Sequence, residues 1–326
     1  MKSLNKLTVF AAAAVVGAAM TFGASAAYAA DLPCRTARVI VPWGAGGESD
    51  LLGRMAVDAA NRLGAKPQLQ IVSIGGQGGI KGAQQGAEAK PDGCTLFNIH
   101  QHILASNLTG RTKLNWDSYI PVANLTSTAS IIAAGTDAPF SNYKEMQEFG
   151  KANPNTILAG GTLGSTSHFS LLLVADKLGI QMKYISYDGT ADRMKALLAN
   201  TIHIGQVSEV TAAKHAEAGR MKLLAINYAN RSTRVPDLAT AQEQGFDLEI
   251  ATDRGMMLPL ETPQEVVDHY VDLFKKVAAD KQYVDTVTKQ GSFVVPRFGE
   301  DYAKWWDATY KDWVRIAKNL GVYKGS

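Results

Sequence analysis

The stretch RVIVPWGAGGESD, residues 38–50, passes from strand to loop to helix start within a few residues. RVIV (38–41) is a short, β-branched apolar run. It stops at Pro42 and a Gly-rich loop. A helical pattern of apolar residues begins at Leu51 and Leu52 and continues through Met55, Ala59 and Ala60. A strand that hands over to a helix in this way is the first half of a parallel βαβ unit. The pattern recurs. QLQIV (68–72) leads into SIGGQGGIKG (73–82) and a helix reaching Ala89, and a third strand covers 95–99 after the turn Pro91-Asp92-Gly93. Residues 122–125 and 131–134 read as two further strands, and 141–150 as a helix capped by Ser141. A second block of the same kind then begins: strand 157–159, loop GGTLGSTSH (160–168), helix 169–178, strand 183–186, a turn at 187–190, helix 191–198, and strands 202–207 and 223–226. Beyond Pro259 and Pro263 the pattern is helical, over 264–278, 281–290 and 302–320. Trp306, Tyr310 and Trp313 recur at i, i+4, i+7 in the last of these and read as a packing stripe. The fold class is therefore α/β. Ligands of open α/β sheets bind outside the carboxyl ends of the strands, so two such blocks facing each other enclose one cleft.

The chain is 326 residues long, enough for two domains. Apolar residues make up 46% and charged residues 19%, which excludes a disordered chain or a small disulfide scaffold. With 33 basic and 30 acidic residues it lacks the basic excess of a nucleic-acid binder. Residues 1–29 have the form of a secretory signal peptide: Lys2 and Lys6, an apolar small-residue stretch, then Ala27-Tyr28-Ala29. Gly17, Thr21 and Gly23 argue against a retained membrane anchor. Export predicts an oxidising compartment. There the two cysteines, Cys34 and Cys94, form one disulfide or remain two separate thiols, and the disulfide is the simpler expectation.

Three loops stand between a strand and a helix: 42–50, 73–82 and 160–168. Glycine lets the backbone approach a ligand closely. The helix that follows presents unpaired N–H groups and the positive end of its dipole, so the expected guest is an anion, most simply a carboxylate. Ser49, Ser165, Thr166 and Ser167 add hydroxyls. Backbone N–H groups and hydroxyls then hold the anion without an arginine. The nucleotide fingerprints, the G-x-S-x-G elbow and H-E-x-x-H are absent, and no cofactor or metal is implied. His100 and His102, read on a strand, share a face but have no clustered carboxylate or Cys ligand. Ser165 or Ser167 with His168 leaves an exported serine hydrolase as the alternative from another class.

The order and spacing of eight segments resemble the periplasmic solute-binding receptors of tripartite tricarboxylate transporters, the Bug family. They are VIVPWGAGGESDLLGRMA (39–56), SIGGQGGIKG (73–82), KPDGCTLF (90–97), LNWDSYIPVANL (114–125), GTLGSTSHF (161–169), YISYDGTADRMKALLAN (184–200), LLAINYANRSTRVPDLATAQEQGF (223–246) and PLETPQEVV (259–267). The resemblance implies a hinged, two-lobed, periplasmic-binding-protein-like fold, with each lobe an α/β sheet flanked by helices. Lobe 1 would be 30–131 plus 254–326, and lobe 2 would be 132–253. It also implies capture of a small di- or tricarboxylate, aromatic ones included, for delivery to membrane components of the transporter, by a protein expected to be monomeric. A receptor feeding a sensor kinase would look the same in sequence. By the same resemblance, one side of the ligand site would be Trp43, Gly44, Ala45, Gly46, Ser49, Asp50, Gly76, Gln77, Gly78 and Gly79, and His102 is a further candidate contact read from the residues. The other would be Thr162, Gly164, Ser165, Thr166, Ser167, Asp188 and Ser208. Trp43, His102 and Arg254 suit an aromatic or doubly charged ligand, and Arg254 equally suits a surface or hinge salt bridge. The chain departs from the family pattern at Asp188, at His203 and before Arg254, where the distal end of the ligand would be read.

Overall fold

The computed structural model describes residues 32–187, 190–232 and 234–325, so the segment read as a signal peptide lies outside the described residues. The first block runs β1 (Thr36–Val41), α1 (Glu48–Arg62), β2 (Gln68–Ser73), α2 (Ile80–Ala87), β3 (Thr95–Ile99) and α3 (His102–Leu108). A long strand β4 (Tyr119–Ala134) leads to α4 (Tyr143–Ala152), β5 (Ile157–Gly161), α5 (Thr166–Leu178), β6 (Met182–Ser186), α6 (Thr190–Leu198), β7 (Ile204–Val207), α7 (Glu209–Glu217) and β8 (Lys222–Asn227). The chain returns through β9 (Ala251–Pro259) and ends in α8 (Gln264–Ala279), α9 (Lys281–Lys289), β10 (Phe293–Phe298) and α10 (Gly299–Asn319).

The strand order β2-β1-β3-β9-β4-β7-β5-β6 makes a mixed sheet with helices on its faces. β1 is parallel to β2 and β3, and β5 is parallel to β6 and β7, as the two βαβ blocks require. β4 joins the halves. Its Tyr119–Ala129 portion pairs with β9 and, on its other edge, with β10. Its Ser130–Ala134 portion pairs with β8 and β7. Because both edges of this strand are paired over most of its length, most of its backbone polar groups are satisfied and it can be buried from Val122 onward. Thr126, Ser127, Thr128 and Ser130 are buried within it, and Thr128 Oγ1 lies 2.7 Å from Ser292 Oγ. These residues break the apolar run, which is why the sequence reads as two strands, 122–125 and 131–134, where the chain forms one.

Two further corrections are local. The helix expected from Ser141 starts at Tyr143, because Asn142 is the cap: its side chain accepts the Glu145 N–H at 2.9 Å. Strand β3 ends at Ile99, so His100 and His102 do not share a strand face; His102 opens α3.

Cys34 and Cys94 form a disulfide with Cα atoms 6.0 Å apart, tying the start of β1 to the start of β3. The largest core cluster spans both halves of the sheet. Within it, Phe169 of α5 stacks on Trp313 of α10, with ring centroids 4.8 Å apart. Trp306 and Trp313 are buried, and Tyr310 packs at the edge of the same cluster.

Candidate ligand cleft

A cavity of about 990 Å³ opens where the carboxyl ends of β1, β2 and β5 meet the starts of α1 and α5. On the α1 side it is lined by Trp43, Gly44, Gly47, Glu48 and Ser49, and by the Gly75–Gly78 backbone with Gln77. The N-cap of α1 is Gly47, which has no side chain to occupy the first N–H groups of the helix.

Ala45, Gly46 and Asp50 do not line the cavity. The Asp50 carboxylate turns inward and accepts the Gly46 N–H at 2.9 Å, Arg54 at 3.0 Å and the Ser73 hydroxyl at 2.8 Å. Burial alone would raise its pKa. The hydrogen bond from Arg54 and those from Gly46 and Ser73 outweigh burial and hold the carboxyl below its usual range. Asp50 thus fastens the loop and keeps a negative charge out of an anion site.

Gly79 and His102 are also turned away from the cavity. A Cβ on Gly79 would stand 2.6 Å from the His102 ring, so this glycine serves the packing of the imidazole. His102 is fully buried between Trp43 and Phe97, and burial lowers its pKa to about 3. The histidine at the cleft is His100. Its Nε2 accepts the Trp43 indole N–H at 2.8 Å, and its Nδ1 lies 3.2 Å from the His102 backbone N–H and 3.1 Å from Thr166 Oγ1 on α5. Burial, together with His102 and Arg254, keeps His100 well below its ordinary pKa and therefore neutral.

On the α5 side Thr162, Ser165, Thr166, Ser167 and Ser208 line the cavity. Their hydroxyls bond chiefly to one another and to the backbone. Ser165 Oγ donates to Thr162 O at 2.6 Å, leaving its lone pairs to Ser167 Oγ at 3.0 Å. Ser167 Oγ accepts the Thr162 N–H at 3.0 Å and an Arg193 N–H at 3.3 Å. Ser208 Oγ caps α7 by accepting the Thr211 N–H. Gly164 does not line the cavity; its carbonyl accepts the Ser106 hydroxyl at 3.1 Å. Asp188 lies outside the described residues. His203 sits at the foot of the second half-sheet, where its Nδ1 accepts the Leu158 N–H at 2.9 Å.

The cleft holds three arginines, which corrects the expectation of an anion site built without one. Arg111, Arg193 and Arg254 all line it. Arg254 is 5% exposed and donates to Ser49 Oγ at 2.9 Å, Thr128 Oγ1 at 2.8 Å and Glu48 at 2.5 Å. It is at once a cleft residue and one half of a salt bridge. Arg193 donates to Ser167 Oγ and to Gln206 O at 3.4 Å; burial lowers its pKa to about 10, so it remains a cation at neutral pH. The sequence does contain a sign of Arg193: it shares the i, i+3, i+4 face with Ala196 and Leu197, both buried. Arg111 follows α3 in a loop and carries no comparable mark.

The Ser–His alternative finds no geometry here. His168 Nδ1 accepts the Gly164 N–H at 3.2 Å, and among the described residues no hydrogen bond joins the imidazole to a serine hydroxyl. Burial lowers its pKa to about 4.

The family described as tripartite tricarboxylate transporter family receptor matches residues 54–322. A UPF0065 protein encoded in the gbd 5′ region of Cupriavidus necator is 28% identical, covering 91% of this chain and 91% of its own length. The periplasmic binding protein BugD superposes with a TM-score of 0.74 at 26% identity, covering 88% of this chain and 98% of its own. MatC from Rhodopseudomonas palustris, solved with bound malate, does so with a TM-score of 0.74 at 25% identity, covering 87% and 99%. These neighbours are two-lobed periplasmic binding proteins rather than enzymes. The chain belongs to the tripartite tricarboxylate transporter receptor family, the group that includes the Bug proteins.

Proposed function

We propose that this protein is a periplasmic receptor that captures a small dicarboxylate in the cleft and delivers it to the membrane components of a tripartite tricarboxylate-type transporter. The observation that carries the reading is the charge of the enclosed site. Among the described residues, the charged groups lining the cavity are three guanidiniums and the Glu48 carboxylate, and a dianion brings that set to neutrality. The starts of α1 and α5 add the positive ends of two helix dipoles. An anion placed between them meets donors from both halves of the sheet. Residues 30–131 with 254–326 act as one lobe and 132–253 as the other, and only their closed arrangement contacts the ligand from both sides. Binding therefore favours closure by linkage. The receptor works as a monomer.

Calorimetry and thermal shift with malate, succinate, glutamate, citrate and terephthalate test this, with acetate as the monoanion control. Malate comes first because the MatC neighbour holds it. At least one dicarboxylate is expected to raise the melting temperature and to bind roughly a hundredfold more tightly than acetate, the ratio that about 2.8 kcal/mol confers. If no member of the panel shifts the melting temperature at millimolar concentration, the carboxylate reading fails.

A further inference from the structure

Arg111 is exposed, and it touches loops from both halves of the sheet. Its Nη1 donates to Leu163 O in the β5–α5 loop at 2.8 Å, and its Nη2 donates to Gln77 O in the β2–α2 loop at 3.3 Å. The side chain runs between two glycines, one in each loop. Gly78 has φ +69°, and a Cβ there would stand 3.1 Å from Arg111 Nη1. Gly164 has φ +70°, and a Cβ there would stand 2.6 Å from Arg111 Cδ and 2.8 Å from Thr109 Oγ1. Both positions disfavour any residue with a side chain, by backbone conformation and by space. Two left-handed glycines thus form a slot for one arginine. The same stretch of chain contributes two more ties to the β5–α5 segment, Ser106 to Gly164 O and His100 to Thr166.

We propose that Arg111 is a positioning residue for solute capture: a strap whose two-pronged guanidinium holds the β2–α2 loop against the β5–α5 loop across the cleft mouth and slows their separation. A guanidinium can serve two carbonyls in one plane, whereas an ammonium offers a single compact charge. The proposal builds on the reading of the cavity as the solute site, but the test needs no solute, so the two can fail separately.

The test is amide hydrogen exchange on the ligand-free protein, comparing wild type with Arg111→Ala and Arg111→Lys. In Arg111→Ala, exchange of the amides of 77–79 and 163–168 is expected to rise about tenfold, as loss of hydrogen bonds to a charged donor implies. Exchange in the central strand, 131–134, is expected to stay as in wild type. Arg111→Lys is expected to recover less than half of the lost protection. Unchanged exchange in both loops would overturn the proposal. So would a loss that extends into the central strand, which would make Arg111 a general stability residue. Full recovery by lysine would overturn the two-carbonyl strap as well, leaving charge alone as the cause.

Discussion

The two helix starts that face the cleft are built in opposite ways. The first turn of α1 carries Glu48 and Asp50, and both carboxylates have arginine partners, Arg254 and Arg54. The first turn of α5 has no acid, only Thr166 and Ser167 behind the Ser165 cap, tied together by hydroxyl hydrogen bonds. Carboxylates near a helix start offset part of the dipole that draws an anion, whereas hydroxyls leave it in place. The α1 side is thus a fastened, electrically balanced wall, and the α5 side carries the stronger pull. The disulfide adds to the contrast: Cys34–Cys94 cross-links the half of the sheet that bears α1.

Reducing that disulfide should have the largest effect. It closes a loop with a sequence separation of 60, and the chain-entropy relation gives about 4 kcal/mol for a loop of that length. Thermal unfolding with and without reductant should show a drop of about 6 °C for a chain of this size. Hydrogen exchange should place the loosening around β1 and β3 and spare β5–β7. Equal loosening of both halves would break the contrast, because it would mean the cross-link serves the whole molecule.

Arg254→Met comes next. The variant leaves Glu48 without its 2.5 Å partner at the wall of an anion site. Truncating one member of a buried charge pair costs about 2–5 kcal/mol. Glu48 is 38% exposed, which places the effect near the lower end, about a hundredfold in affinity for whichever dicarboxylate binds wild type. Adding Glu48→Gln should restore a large part of it. Calorimetry on the single and double variants decides the matter, and undiminished affinity in Arg254→Met would mean the α1 wall is not electrically coupled to the ligand.

Much of this organisation is legible in the sequence. The strand–glycine–helix rhythm gives the two parallel blocks, because period and punctuation are local properties. What escapes is whatever depends on distant partners. β9 carries Thr252-Asp253-Arg254 ahead of its apolar 256–258, a charged pair that hides the strand; it extends through them because β3 and β4 flank it and its charges find Gln101, Glu48 and Thr128. The hydroxyls of 165–167 are readable as anion donors by type, but only the folded loop shows them taken up by one another, the Thr162 carbonyl and His100. His102 and His100 exchange roles for a similar reason. The chain turns after Ile99, and that turn sends one ring into the core and the other to the cleft.

Asp50→Asn should cost about 1–2 kcal/mol, since an amide cannot accept from the Gly46 N–H, Arg54 and Ser73 as a carboxylate does. Its pH dependence sharpens the contrast further. The folded-state pKa lies below the unfolded value of 3.8, so the ionised form is preferred in the folded state. This contribution is present above pH 3.8 and is lost as pH falls through the folded-state pKa. Chemical denaturation between pH 3 and pH 7 should therefore show a shallower acid loss in the variant than in wild type. Identical acid profiles would mean that the α1 loop is held by something other than this carboxylate.

Ser167→Ala probes the other side and should have the smallest effect. Ser167 Oγ accepts from the Thr162 N–H and from Arg193, so alanine removes one acceptor from each without adding charge. A net loss of about 1 kcal/mol follows, roughly fivefold in affinity. Ser167 is only half-buried, so water can take up part of the lost bonding and the fold should be little affected. The informative quantity is the ratio between the two sides. Arg254→Met alters the charge of the α1 wall, whereas Ser167→Ala only loosens the seating of Arg193 and the 162–167 loop. Titrating both variants at low and at high salt separates these effects, because screening acts on charge and hardly on a neutral hydrogen bond. The Arg254→Met deficit should shrink as salt rises while the Ser167→Ala deficit stays constant. A Ser167→Ala deficit with equal salt dependence would show that the α5 side, too, acts through a charge that the serine positions.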